Sequence, residues 1–235
     1  MENPQQEPIR ANPSSKEILV WDLPTRLFHW LLVVFVTISF VTGHIGGNAM
    51  QVHERSGFVI LSLLLFRLMW GFFGSRESRF VTFVHGPAAV LRYAKALARS
   101  EKLRYLGHNP LGGWSILAML ITLLTQAVTG LFATDDIFTQ GPLYPLVSDA
   151  TSHLLTRIHQ LNQNIILVLI VIHLLAIFFY LFVKRENLIK PMIVGTKEWY
   201  KSAQPSTANH VVAAVIAGLA ALTVYLLVRY GARFY

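Results

Sequence analysis

The 235-residue chain contains no cysteine. That absence excludes disulfides, cysteine-ligated iron–sulfur clusters and any haem attached covalently through a CxxCH sequence. Charge is sparse as well, at 14% of residues, and it is lopsided, with 20 Lys and Arg against 12 Asp and Glu. Hydrophobic residues make up 54% of the chain and are gathered into runs, unlike the spaced apolar positions of half-buried soluble helices.

Five runs stand out, over about residues 27–43, 57–73, 114–132, 158–183 and 210–228. Each is close to the roughly 20 residues a helix needs to cross a bilayer, so the chain is expected to be an all-α, multi-pass membrane protein. The formal charge of +8 does not point to nucleic acid, because its distribution follows the positive-inside rule. Three basic residues precede the first run (Arg10, Lys16, Arg26), seven lie between the second and third, Lys102 among them, and five follow the fourth, Lys201 among them. The opposite loops hold only Arg55 and Arg157, with Arg229 and Arg233 after the last run. This pattern predicts a multi-pass membrane protein whose amino terminus is cytoplasmic and whose carboxyl terminus is on the opposite side. The first run lacks a small-residue cleavage site, which argues against a cleaved signal.

Residues 1–16 are polar and rich in Pro, Asn, Gln and Ser, as in a flexible tail. WDLPTRLFHW then brings the chain to the membrane, with Trp21 and Trp30 suited to the interface. AAVLRYAKALARSEKLRYL alternates basic and apolar residues, the pattern of a helix lying on an anionic membrane surface. The connection from Ala133 to Thr156, with three Asp and two Pro, is expected to cap the outer end of the helices.

Histidines carry the chemistry. His159 and His173 share one apolar run, fourteen residues apart. Fourteen steps of about 100° return to within about 40° of one face, and a rise of about 1.5 Å each separates the rings by roughly 21 Å. Buried imidazoles in a membrane need partners. His29 begins the first run on the inner side, and His53 enters the second from the outer side. Depth therefore pairs His29 with His173 and His53 with His159. Opposed imidazoles at two depths suit two six-coordinate, non-covalently bound haems, whereas zinc wants four clustered ligands. Gly43, fourteen residues after His29, and Gly130, about five turns beyond Gly112, fall where close helix approach to a porphyrin face is useful, although packing glycines also recur in membrane bundles. Val-Thr-Gly ends both the first and the third run, at 41–43 and 128–130.

RLFHW around His29, HERSGFVILSLLLFRLMWG from His53, the His159 and His173 pair, and RENLIKPMIVG after the fourth run together resemble the bacterial cytochrome b561 family, which includes the b-type cytochrome subunits of nickel–iron hydrogenases. The resemblance covers about Val20 to Gly195. It implies a four-helix bundle binding two b haems through these four histidines, and electron transfer between quinone and a periplasmic cytochrome c or a peripheral redox subunit. The expected layout is thus a tail (1–16), a di-haem bundle (17–200) and an additional segment (201–235) whose fifth helix lies outside the match.

Two arginines carry two readings each. Arg67, about fourteen residues below His53, and Arg26, just before His29, are either counter-ions for haem propionates or cations reaching the inner surface. His44 is a weaker outer-ligand candidate, and His153, beside Asp149, could assist quinone proton transfer. The rival functions are a superoxide:quinone oxidoreductase, which needs a positive outer funnel; a histidine-relay transporter, which needs a polar path where Ile165 to Ile172 is wholly apolar; and a cofactor-free anchor, which leaves matched histidines without purpose.

Overall fold

The computed structural model describes residues 16–99, 101, 103–137, 139–200 and 202–231. The expected amino-terminal tail lies outside them apart from Lys16, as do Arg10, Lys102, Lys201 and Arg233 of the charge pattern. In chain order the elements are β1 (Lys16–Leu19), α1 (Leu23–Ile45), α2 (Met50–Phe73), α3 (Phe80–Phe83), α4 (Pro87–Ala98), α5 (Pro110–Gly130), α6 (Asp149–Phe182), α7 (Ile189–Val194), β2 (Thr196–Trp199) and α8 (His210–Gly231). Five of these helices are long and apolar enough to cross a membrane, so the all-α membrane architecture stands. The exception is a small antiparallel ladder that pairs Lys16 with Trp199 and Leu19 with Thr196.

Helix ends differ from the apolar runs where polar residues continue a helix. α6 starts at Asp149, nine residues before the run, and the Ser148 hydroxyl accepts from Thr151 N–H at 3.3 Å as a cap. Hydropathy cannot register such a polar first turn. α1 ends at Gly46 and Gly47, both at positive φ, and the Gly46 amide closes on Thr42 carbonyl at 3.1 Å. A left-handed pair of this kind turns the chain sharply toward α2 at little cost only with glycine.

The described chain divides into two compact units. The first gathers residues up to Arg26 with Trp70–Ala118 and Val171–His210. Its polar heart is Asp22, 1% exposed, which caps α1 by accepting the Thr25 amide at 2.6 Å and also accepts from the hydroxyls of Ser75 and Ser78 and, at 3.3 Å, from Trp70 Nε1. Several donors on one carboxylate are what its burial requires. Ile18, Val20, Trp21, Leu106 and Trp199 form an adjoining apolar cluster. Trp21, expected at the interface, is thus a core residue, while Trp30 is exposed.

The surface helix is shorter than its composition predicts. Only Pro87–Ala98 is helical; beyond Arg99 the chain leaves the helix and buries Tyr105 and Leu106. Inward anchoring of those two side chains outweighs helical alternation over Leu103–Leu106. Elsewhere in this unit Lys197 Nζ bridges Glu186 Oε1 at 2.7 Å and donates to Tyr105 carbonyl at 2.6 Å, and Tyr93 and Tyr180 share a hydroxyl–hydroxyl bond. Burial raises the Glu77 carboxyl above the usual range despite the pull of Arg76.

The second unit gathers Leu27–Met69, Met119–Ile170 and the described residues from Val211 onward. Leu61 of α2, Leu131 and Leu143 after α5, and Val224 of α8 form its apolar cluster. A Cβ on Gly231 would strike the carbonyl of Pro142, so the end of α8 packs against the loop after α5 with no room for a side chain. That loop returns on itself through the Thr134–Gln140 bridge and a 2.8 Å bond from Gly141 N–H to Ala133 carbonyl.

Candidate functional site

In the second unit α2 and α6 bring His53 and His159 close together. Their ring centroids are 6.0 Å apart and their planes stand at 82°. Each ring is held by a carbonyl of a third or fourth helix. His53 Nδ1 is 2.8 Å from the Ser39 carbonyl on α1, and His159 Nδ1 is 2.9 Å from the Gln126 carbonyl on α5. A carbonyl only accepts, so Nδ1 carries the proton in both rings and Nε2 keeps its lone pair. This is the tautomer an imidazole metal ligand needs, with an outer hydrogen bond fixing ring orientation.

Glycine makes the arrangement sterically possible. A Cβ on Gly43 would lie 2.8 Å from His53 Nδ1, and one on Gly130 would lie 2.9 Å from His159 Cε1. These two glycines therefore admit the imidazoles themselves, a step closer to the chemistry than the porphyrin clearance expected of them. The carbonyls that hold the rings sit four residues before each glycine, and Thr42 and Thr129 bond back to those same carbonyls at 3.3 and 3.1 Å. The Val-Thr-Gly echo thus marks the same imidazole cradle built twice, on α1 and on α5. Gly112 has a different role: it lies in the first turn of α5, where its N–H is capped by Asn109 Oδ1 at 2.8 Å.

A cavity of about 670 Å³ opens around the two rings, lined by Gly43, Gly130, Ile60 and Leu123 together with Glu54, Gln160 and Gln163. Its size is that of a cofactor pocket. Asn162, one turn beyond His159, is buried and donates to Thr122 carbonyl at 2.9 Å and Gln126 Oε1 at 2.8 Å. Ser39, Gln126 and Thr129 escape a reading based on ligand types and spacing, because they act on the imidazoles through backbone carbonyls and hydroxyls. The repeated tripeptide was the only signal that pointed toward them.

His44 also lines this cavity. His29, on α1, is half-buried and packs edge-on against Trp30 at 5.0 Å between centroids. His173 lies on α6 in the first unit, also half-buried. Arg67, on α2, is only 3% exposed and so does not reach the surface. Arg26 donates through Nη1 to the Ile193 carbonyl at 2.5 Å, a tie to the end of α7 in its own unit that gives it a structural task. His44 bonds to its own helix at Phe40 carbonyl. His153 pairs with Asp136 at 3.7 Å, and not with Asp149, which accepts from Tyr144.

Residues 20–195 match the family described as prokaryotic cytochrome b561. With three-quarters of its length inside that match, the chain belongs to this family and is a membrane-spanning b-type cytochrome of electron transport, whose cofactor is haem b. Among similar proteins, the "Probable Ni/Fe-hydrogenase B-type cytochrome subunit" of Rhodobacter capsulatus is 25% identical, the alignment covering 80% of this chain and 83% of the relative. The protein of the same name from Azotobacter vinelandii is 26% identical over 85% of this chain and 95% of its own length. The "Probable Ni/Fe-hydrogenase 1 B-type cytochrome subunit" of Escherichia coli K12 is 25% identical over 47% of this chain and 57% of its own. No solved structure matches the chain.

The residues around His53 and His159 fit a haem. Imidazole–metal bonds run about 2.0–2.1 Å and a ring nitrogen lies about 1.1–1.2 Å from its centroid, so opposed imidazoles on one metal stand about 6.3 Å apart. The observed 6.0 Å is close to that spacing. Among the described residues no group of three or more His, Cys, Asp and Glu side chains converges as a bare metal site would require. Two imidazoles alone suffice when a porphyrin supplies the other four nitrogens.

Proposed function

We propose that the chain conducts electrons across the bacterial plasma membrane through two b haems, one held by His53 and His159 and one by His29 and His173, between quinone and a redox partner at the periplasmic face. The observation that carries this reading is the opposed imidazole pair, protonated at Nδ1 and open at Nε2. The second pair rests on the spacing of the histidines along the helices and on family membership. The names of the relatives support a place as the membrane subunit of a hydrogenase-type complex.

Haem b held by these imidazoles would supply a one-electron centre. What the chain contributes is positional. The Ser39 and Gln126 carbonyls keep the Nδ1 protons in place, so the ligands do not change protonation as charge arrives. Ile165 to Ile172 offers no polar side chain along α6, which lets electrons pass between the two depths while protons do not. Arg67, buried, supplies a guanidinium suited to a propionate. The cavity lining among the described residues includes Glu54 and Asp135 but no Lys or Arg, the reverse of what would attract superoxide.

The test is a reduced-minus-oxidised spectrum of the purified protein with a pyridine haemochrome count. Two haem b per chain are expected, with His53→Ala and His159→Ala each removing one and the same centre, and His29→Ala and His173→Ala the other. Loss of different centres from His53→Ala and His159→Ala overturns the pairing.

A further inference from the structure

We infer that the hydroxyls of Ser39 and Thr129 set the electron-donating strength of the His53 and His159 imidazoles, and through them the reduction potential of the centre these rings hold. This rests on the axial-ligand reading above. Besides its carbonyl partner, each Nδ1 has a hydroxyl oxygen beside it: Ser39 Oγ at 3.2 Å from His53 and Thr129 Oγ1 at 3.3 Å from His159. One N–H thus faces two acceptors. Thr129 is only 5% exposed, so water does not compete, and its own hydroxyl proton is shared between the carbonyls of Thr125 at 2.7 Å and Gln126 at 3.1 Å. The oxygen that remains toward His159 can only accept. Ser39 does the same for His53 with a single residue, offering both its carbonyl and its hydroxyl to one Nδ1.

The two cradles are therefore alike in their carbonyl and different in their hydroxyl, which comes from the carbonyl residue itself on α1 and from the residue before the glycine on α5. An acceptor on Nδ1–H raises ring basicity and donation through Nε2, which favours the more highly charged, oxidised state of the metal. Removing an acceptor raises the potential. The hydroxyl contacts are longer than the carbonyl bonds, so each is expected to be worth a two- to fivefold change in the one-electron equilibrium, or about 20–40 mV at 59 mV per tenfold. Thr129→Val belongs at the lower end, because it also frees the Gln126 carbonyl from the Thr129 hydroxyl and lets that carbonyl bind His159 more strongly.

The experiment is an optical redox titration of the holoprotein with Ser39→Ala, Thr129→Val and the double variant, the centre being identified as the one missing in His53→Ala. Each single variant is expected to raise that centre's potential, the double variant to add the two shifts, and Ser39→Thr and Thr129→Ser to return it, with the other centre unmoved. A fully loaded variant with an unchanged potential, or equal shifts in both centres, overturns the inference. So does loss of haem in both single variants, which would make the hydroxyls packing groups. If one variant alone loses haem, the other decides. Retention of both centres in His53→Ala is a separate result that sinks the ligand reading itself.

Discussion

A single methyl group at residue 130 would lie 2.9 Å from Cε1 of His159, closer than real Cβ atoms approach a ring carbon. Because the ring is also pinned by Gln126, it cannot swing away without breaking that bond. Gly130→Ala, and Gly43→Ala on the opposite side, are therefore expected to lose most of the centre held by His53 and His159. Gly112→Ala, whose Cβ meets the Asn109 side chain no closer than 3.4 Å, should keep both centres. Haemochrome counts on the three variants check this, and full haem content in Gly130→Ala would show that the cradle yields. The glycines were legible as positions needing close approach, from spacing alone. What they approach was not, because ring rotamer and interhelical distance are not properties of periodicity.

At the scale of elements, α6 does two jobs with two faces. Leu154, Leu161, Val168, Leu175 and Phe182 recur every seventh residue and are all more than half exposed, an apolar stripe that only lipid or another apolar surface can cover. Its other face carries His159 and Asn162 toward α5. Interhelical hydrogen bonds in membranes are worth about 0.6–2 kcal/mol each, so Asn162→Leu, which removes two, is expected to lower the thermal bleaching temperature of the haem measurably and to loosen the Gln126 side chain. An unchanged bleaching curve would mean that the pair contributes nothing. The five spanning helices could be read from apolar runs because lipid imposes that pattern. The β1–β2 ladder could not: four-residue strands 180 positions apart leave no local signature. The polar start of α6 escaped for a related reason, since its cap is a side-chain bond and not a hydropathy step.

For the whole molecule, charge distribution sets the expected orientation, and the missing cysteines make it measurable. A membrane-impermeant maleimide should label Ile137→Cys, in an exposed loop position, on intact cells, and Ala98→Cys, at the exposed end of α4, only after the membrane is opened. The reverse labelling would invert the topology. The opposed histidines have a consequence for how such a protein matures. Both jaws of the slot are set by main-chain carbonyls that belong to the helices, so their gap exists as soon as those helices have assembled. A porphyrin that meets rings already turned by their helices would spend less of its binding free energy on ordering them.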